Sequence, residues 1–213
     1  AGVTADPETC PVDSAASGGV SDPALMPATA CYDPELLATT PPGVLAASAM
    51  NGFDKGIETL YARNHSPVTD ATAMRGLDLL STGLLAFGDG DRSERTYQRL
   101  AQGILLVQYG ISRPDGTTLS LIHAFGHGLT RTSDVQQGAA HAIVAPHVLR
   151  WLFDAVGGRR QLLARALGVD GNGEPAGAVV ERVADVAAAL DLPKRLRDVD
   201  GPTRGEFPAI ADA

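Results

Sequence analysis

Two histidines one helical turn apart are the residues of this 213-residue chain best placed to do chemistry. His123 and His127, in the segment HAFGH, stand at positions i and i+4. If the segment is helical, one face carries both imidazoles with Cβ atoms about 5–6 Å apart, which suits a metal site or an acid/base pair. Ala124 stands where a zinc peptidase has its general-base glutamate, so a metallopeptidase is disfavoured. The spacing alone fits equally well two structural histidines that hydrogen-bond the backbone.

Other polar residues offer a second arrangement. Asp54 and Glu58 are also at i and i+4, and together with His123 they would form an alternative metal site if the helix register moved by one turn. His147, directly after a proline, is predicted to be structural. Trp151 and Phe153 are predicted to lie in the core.

The elements that must position these residues are predominantly helical. Helical periodicity, capping residues and Pro or Gly boundaries predict seven helices, over residues 41–63, 66–90, 92–109, 119–129, 135–156, 159–167 and 176–190. Pro146 is expected to interrupt the fifth of these, and residues 198–213 have the composition of a loop. Two short Thr- and Val-containing runs, 1–6 and 28–32, are predicted to be strands. Because two short strands are not stable alone, they are expected to be the edge of a larger sheet.

Composition excludes several classes of protein. The 17 basic residues against 25 acidic ones give a net charge of −8, which argues against a nucleic acid or an anionic membrane as partner. No apolar run approaches the roughly 20 residues of a membrane span. Cys10 and Cys31 have no CxxC spacing, so a reducing, cytoplasmic setting without a disulfide is expected. Of the 17 basic residues, 15 are Arg, and only Lys55 and Lys194 are Lys.

Three segments follow one another along the chain: LLATTPPGVLAASAMNGFDKGIETLYARNHSPVTDATAMRGLDLL, HAFGHGL and QQGAAHAIVAPHVL. In this order they resemble the iron-containing (group III) alcohol dehydrogenase family, with the maleylacetate reductase branch suggested as the nearest. The resemblance implies a mainly α fold, a dehydroquinate synthase-like helical catalytic domain over residues 34–213, preceded at 1–33 by the strand pair that ends an α/β nucleotide-binding domain. It further implies an NAD(P)-dependent oxidoreductase that acts on a small alcohol or carbonyl compound and commonly forms homo-oligomers. The cofactor, NAD or NADP, would need the upstream domain, because the family's Gly-rich phosphate-binding segment is missing from this sequence.

The same resemblance places the family's metal ligands on four positions of this chain. The family has Asp, His, His and His where this sequence has Asn51, Lys55, His123 and Gln137. Only His123 is a good ligand for a divalent transition metal, since Asn and Gln offer weak carbonyl oxygens and an ammonium offers no lone pair. The metal site is therefore predicted to be degenerate, and a bound metal ion is not expected.

The substitution suggests a mechanism without a metal ion. The Lys55 ammonium would stabilise the oxyanion that forms on hydride transfer, and His127 or His123 would relay the proton. Asn51, Gln137 and His141 would lie near the substrate and cofactor. The isolated chain is expected to be inactive. The alternative is a non-catalytic, degenerate helical module that is retained for binding or oligomer contacts.

Overall fold

The computed structural model describes residues 28–113, 116–169 and 173–211, and the described residues from Tyr32 onward form a mainly helical unit. The helices are α1 (Pro34–Ala38), α2 (Pro42–Tyr61), α3 (Pro67–Gly88), α4 (Glu94–Tyr109), α5 (Leu121–Thr132), α6 (Gln137–Ala155), α7 (Arg160–Ala166), α8 (Pro175–Ala189) and α9 (Phe207–Ala211). A two-residue antiparallel ladder joins β1 (Ser112–Arg113) to β2 (Gly116–Thr117). The mainly α prediction is confirmed. No helix in the described part of the chain is both long and apolar enough to cross a membrane.

Helix α2 is the central element. Its side chains Met50, Phe53, Ile57 and Leu60 are fully buried, and it packs against α3, α4, α5 and α6. The last contact is very close: a Cβ atom on Gly138, in the first turn of α6, would collide with the Ala47 carbonyl oxygen of α2. Glycine at this position therefore brings the start of α6 against the helix that carries Asn51 and Lys55.

Local signals set the helix boundaries. Ser66 caps α3 in a capping box with Thr69, and Ser93 accepts a hydrogen bond from the Thr96 N–H at the start of α4. Glu174 accepts a hydrogen bond from the Gly177 N–H at the start of α8. These caps account for the agreement between the predicted and observed helix starts.

Three structural predictions need correction. Residues 28–32 form no strand, and residues 1–6, the predicted partner, lie outside the described residues; a strand exists only as part of a hydrogen-bonded pair. Pro146 does not interrupt α6, because burial on both sides of the proline holds the helix despite the missing N–H. Residues 198–211 are not wholly loop, since 3₁₀ turns at Leu196–Asp198 and Arg204–Glu206 lead into α9.

Candidate functional site

One face of α2 presents three of the residues that the sequence analysis discussed. Asn51, Lys55 and Glu58 are spaced i, i+4 and i+7, so they follow one another along the helix on one side. Asn51 and Glu58 both contact His123 of α5. The first turns of α5 and α6 thus meet this face of α2.

The buried carboxylate of Glu58 organises the start of α5. It accepts hydrogen bonds from five donors: the backbone N–H groups of Ser120, Ile122 and His123, the Tyr61 hydroxyl, and His123 Nδ1 at 2.6 Å. Burial favours the neutral acid, but the hydrogen bonds from His123 and the backbone outweigh it and hold the pKa of Glu58 below its usual value. The same carboxylate, together with burial, raises the pKa of Tyr61. An ionised Glu58 therefore substitutes for a capping side chain at α5 and fixes the ring of His123.

A chain of polar contacts continues from His123 to α6. His123 Nε2 lies 3.0 Å from Asn51 Oδ1, and Asn51 Nδ2 lies 3.4 Å from Gln137 Oε1. Since Nδ1 donates to Glu58, two proton arrangements fit. In one, an imidazolium donates to the Asn51 carbonyl; in the other, a neutral ring accepts from an Asn51 amide turned by 180°, and the Gln137 amide is turned as well so that it donates to Asn51. In both arrangements Gln137, Asn51, His123 and Glu58 form one connected network.

A second buried His–carboxylate contact lies beside the first. His141 and Asp54 are both fully buried, with His141 Nδ1 3.3 Å from Asp54 Oδ2. The atoms are close enough for an ion pair but not aligned for a hydrogen bond, so the polar side-chain atoms of both residues lack hydrogen-bond partners in the described part of the chain. Burial raises the pKa of Asp54, against the opposing effect of His141. The two imidazoles meet edge to face, with the ring centroids of His123 and His141 4.4 Å apart.

A glycine makes room for that buried imidazole. A Cβ atom on Gly126 of α5 would collide with the His141 ring. The HAFGH segment therefore places His123 on one network and, through its glycine, allows His141 to approach the same turn.

Lys55 and His127 are more accessible to solvent than His123. Lys55 is half-buried, and desolvation lowers its pKa; it forms no ion pair with any other described residue. His127 is exposed, 6.3 Å from His123 between ring centroids. Desolvation first, and then the neighbouring His123 and His141, lower the pKa of His127, which favours the neutral ring.

The structure brings some predicted site residues together and leaves others apart. Asn51 contacts both His123 and Gln137, His127 and His141 lie beside His123, and Lys55 is on the same face of α2 as Asn51. The alternative metal site of Asp54, Glu58 and His123 is wrong, because no group of three His, Cys, Asp or Glu side chains among the described residues has the geometry to hold a metal ion.

Sequence reasoning missed the central role of Glu58, which it considered only as a ligand of the alternative metal site. The signal was available: Glu58 lies seven residues, or two turns, after Asn51 and therefore on the same face. It also missed the burial of Asp54 and His141, for which no spacing rule gave a signal. Trp151, predicted to be core, is instead 62% exposed, whereas Phe153 is buried as predicted; Trp151 lies on the outer side of α6.

The donor set at the four ligand positions does not suit Fe²⁺ or Zn²⁺. Two amides, one ammonium and one imidazole supply a single strong ligand, and the imidazole nitrogen that would bind a metal ion faces Asn51. That no metal ion binds at these positions stays a prediction.

The fold and the site define a helical domain in which an imidazole is held, buried, between α2 and α5. Residues 45–213 match the C-terminal part of the Fe-containing alcohol dehydrogenase family. The chain belongs to that family of oxidoreductases.

Known relatives support the assignment. Lactaldehyde reductase of Escherichia coli K12 is 29% identical over 196 residues, covering 90% of this chain and 50% of the enzyme. Maleylacetate reductase 2 of Cupriavidus pinatubonensis is also 29% identical, over 154 residues, covering 71% of this chain and 42% of the enzyme. The predicted family is confirmed, and maleylacetate reductases are among its members that this chain resembles.

A solved structure shows the same fold. Sulfoacetaldehyde reductase of Bifidobacterium kashiwanohense, in complex with NAD+, superposes with a TM-score of 0.73 at 22% identity, covering 84% of this chain and 46% of that one. The chain thus spans about half the length of the relatives that it matches.

Proposed function

We propose that this chain is the helical part of an NAD(P)-dependent oxidoreductase that interconverts a small alcohol and its carbonyl compound without a metal ion. The observation that carries the proposal is the network in which Glu58 holds His123 against Asn51 and Gln137, with Lys55 on the same face of α2. The family membership supplies the reaction class. The names of the relatives, which are reductases of small aldehydes and related compounds, support the substrate class.

The proposed reaction needs three things from the protein. The dinucleotide, held by an upstream domain, supplies or accepts the hydride. In the reducing direction, the carbonyl carbon gains the hydride and the π electrons of the C=O bond move to oxygen, which must then be stabilised and protonated. Lys55 carries the only charge of suitable sign on the network face of α2, and burial lowers its pKa, which favours donation of its proton relative to an exposed lysine.

His127 completes the proposed proton path. It is exposed, so it can exchange protons with water, and it lies one turn from His123 on α5. A neutral His127 accepts a proton from solvent and restores the one that Lys55 gives to the alkoxide, so that charge and protons balance over the cycle. The residues next to the substrate and nicotinamide in this proposal are Asn51 and Gln137. His141, which the sequence also predicted there, is fully buried and packs against the ring of His123 instead.

The first test replaces the lysine. In the full-length protein that carries this chain, Lys55→Ala should lower kcat for NAD(P)H-dependent reduction of short aldehydes by about 10²–10³, the cost of removing one oxyanion donor. Lys55→Arg should retain part of the activity, and Arg95→Ala, an exposed cation on α4, should not change it. The wild-type activity should also survive a metal chelator. Undiminished turnover in Lys55→Ala, or loss of activity on chelation, would overturn the proposed role of Lys55.

One observation favours the alternative of a non-catalytic module. Asn51 already hydrogen-bonds both His123 and Gln137, so these contacts form without a substrate. If the full-length protein binds NAD(P)H but reduces no member of an aldehyde panel, this second function is the one supported.

A further inference from the structure

A large apolar cavity lies on the opposite side of α5 from the candidate site. It has a volume of about 610 Å³, within the range of about 300–1,000 Å³ typical of small-molecule sites. Leu121 and Phe125 of α5 form one wall. Phe125 is two residues from both His123 and His127, about 200° around the helix from each, so the cavity and the histidines do not share a face.

The walls of this cavity are apolar and aromatic. Helix α6 contributes Ile143, Val144 and Val148, and Trp151 closes one end. Phe125 is 43% exposed and Trp151 62% exposed, which leaves much aromatic surface in contact with water. An exposed apolar concavity of this size marks a binding site more often than plain surface does.

The polar groups at its rim are all basic or neutral. Lys194 and Arg195 are exposed residues that line the cavity, and His147 is the remaining polar lining residue. Neither Lys194 nor Arg195 forms an ion pair with any other described residue, and no Asp or Glu is among the described lining residues. In a chain of net charge −8, two adjacent cations beside an apolar cavity select for a ligand of negative charge.

We propose that this cavity binds an amphipathic organic anion, an aliphatic or aromatic carboxylate whose apolar body lies between Phe125 and Trp151 and whose charged group meets Lys194 and Arg195. The apolar walls account for the body of the ligand and the two cations for its head group. The site is separate from the proposed oxidoreductase site, so binding does not require NAD(P)H or turnover.

Trp151 is the only tryptophan of the chain, so its fluorescence reports on this cavity directly. Titration of the chain with decanoate should give a saturable change in Trp151 emission. Decanol, which has the same chain length without the charge, should bind more weakly. Phe125→Ala should weaken the binding of both ligands, because it removes wall area that both contact.

The rim cations are tested with a charge-matched control. Lys194→Ala with Arg195→Ala should weaken decanoate binding about fivefold or more, the loss of about 1 kcal/mol that a partly exposed ionic contact provides, and should leave decanol binding unchanged. Arg63→Ala with Arg95→Ala removes two exposed cations elsewhere and should change neither. Circular dichroism melting confirms that each variant is folded.

Several results would overturn the proposal. They are a non-saturable response, equal losses for the rim pair and the control pair, or equal binding of decanoate and decanol by the wild type. A Trp151 emission that depends on protein concentration, with a matching dimer by light scattering, would show that a second copy of the chain covers the cavity instead.

Discussion

At the scale of single residues, Glu58 makes the most hydrogen bonds of the residues described in the site. One carboxylate accepts from three backbone N–H groups, a tyrosine and an imidazole. Without it, the backbone N–H groups of Ile122 and His123 would be buried and would lose this acceptor, which is costly in a medium of low dielectric constant. The position of His123 therefore depends on Glu58 more than on its own helix.

Replacing that carboxylate should destabilise the whole domain. Glu58→Gln keeps the shape but points an N–H group at other donors, and we expect it to lower the free energy of unfolding by about 3 kcal/mol, as for a broken buried ion pair. Urea unfolding measures the change. Glu181→Gln, an exposed residue on α8, is the control and should be near neutral. A loss no larger than that of the control would show that the hydrogen bonds to Glu58 contribute little.

The ligand positions can be tested by restoring the family's residues. The triple variant Asn51→Asp, Lys55→His and Gln137→His should bind one Fe²⁺ or Zn²⁺ per chain with His123 as the fourth ligand, because Asn51, His123 and Gln137 already converge. Elemental analysis after dialysis measures the metal content, with the wild-type chain as the matched control. A triple variant that holds no metal would mean that the backbone, and not the side chains alone, has departed from a metal-binding geometry.

Many residues of the site could be predicted from their types and spacing, but the partner that each side chain contacts could not. The i, i+4 and i+7 rules place Asn51, Lys55 and Glu58 on one face. Which partner satisfies each group depends on contacts between α2, α5 and α6, which are distant in sequence. The contact between Asp54 and His141, whose polar side-chain atoms lack hydrogen-bond partners among the described residues, results from that packing.

At the scale of elements, an ion pair joins the start of α3 to the start of α7. Arg159 donates to both carboxylate oxygens of Asp70, at 2.9 and 2.6 Å, and to the Leu60 carbonyl at the end of α2. His65 Nδ1 lies 3.4 Å from the same carboxylate. Arg159 thereby links the end of α2 and the start of α3 to the start of α7. The hydrogen bonds from Arg159 lower the pKa of Asp70 despite partial burial.

This ion pair should make stability depend on pH in the acid range. Because the folded-state pKa of Asp70 lies below its unfolded value of about 3.9, its contribution is present above that value and is lost as pH falls through the folded-state pKa. Asp70→Asn should cost about 1 kcal/mol at pH 7 and progressively less below about pH 4. Urea unfolding from pH 7 to pH 2.5 tests this, with the exposed Asp185→Asn as control. A cost that stays constant down to pH 2.5 would exclude the ionic contribution.

Helix limits were predicted well where a local chemical signal exists. Ser66, Ser93 and the prolines at helix starts act within four residues, so sequence alone is sufficient there. The start of α5 is the exception, because its capping group is Glu58, more than sixty residues away in the chain. Pro146 was misjudged for a similar reason: packing from distant helices, which no local rule contains, keeps α6 continuous.

At the scale of the whole molecule, the proposed function assigns this chain one of two parts, the helical part without the dinucleotide site. It spans about half the length of the relatives that it matches, and its sequence has no Gly-rich segment for the pyrophosphate of a dinucleotide. Its net charge of −8 also opposes an anionic cofactor at long range. On the proposed function, binding of the nicotinamide cofactor must come from another domain.

The 213-residue chain alone should therefore show no saturable binding of NADH up to about 1 mM, a concentration at which binding provides only about 4 kcal/mol. Equilibrium dialysis measures this, and the full-length protein that includes the nucleotide-binding domain is the positive control. Saturable binding by the isolated chain that decanoate does not displace would contradict the assignment of cofactor binding to another domain. If decanoate does displace the NADH, the two ligands share the cavity between α5 and α6. The cations at Lys194 and Arg195, and not the network around His123, would then hold the dinucleotide phosphates.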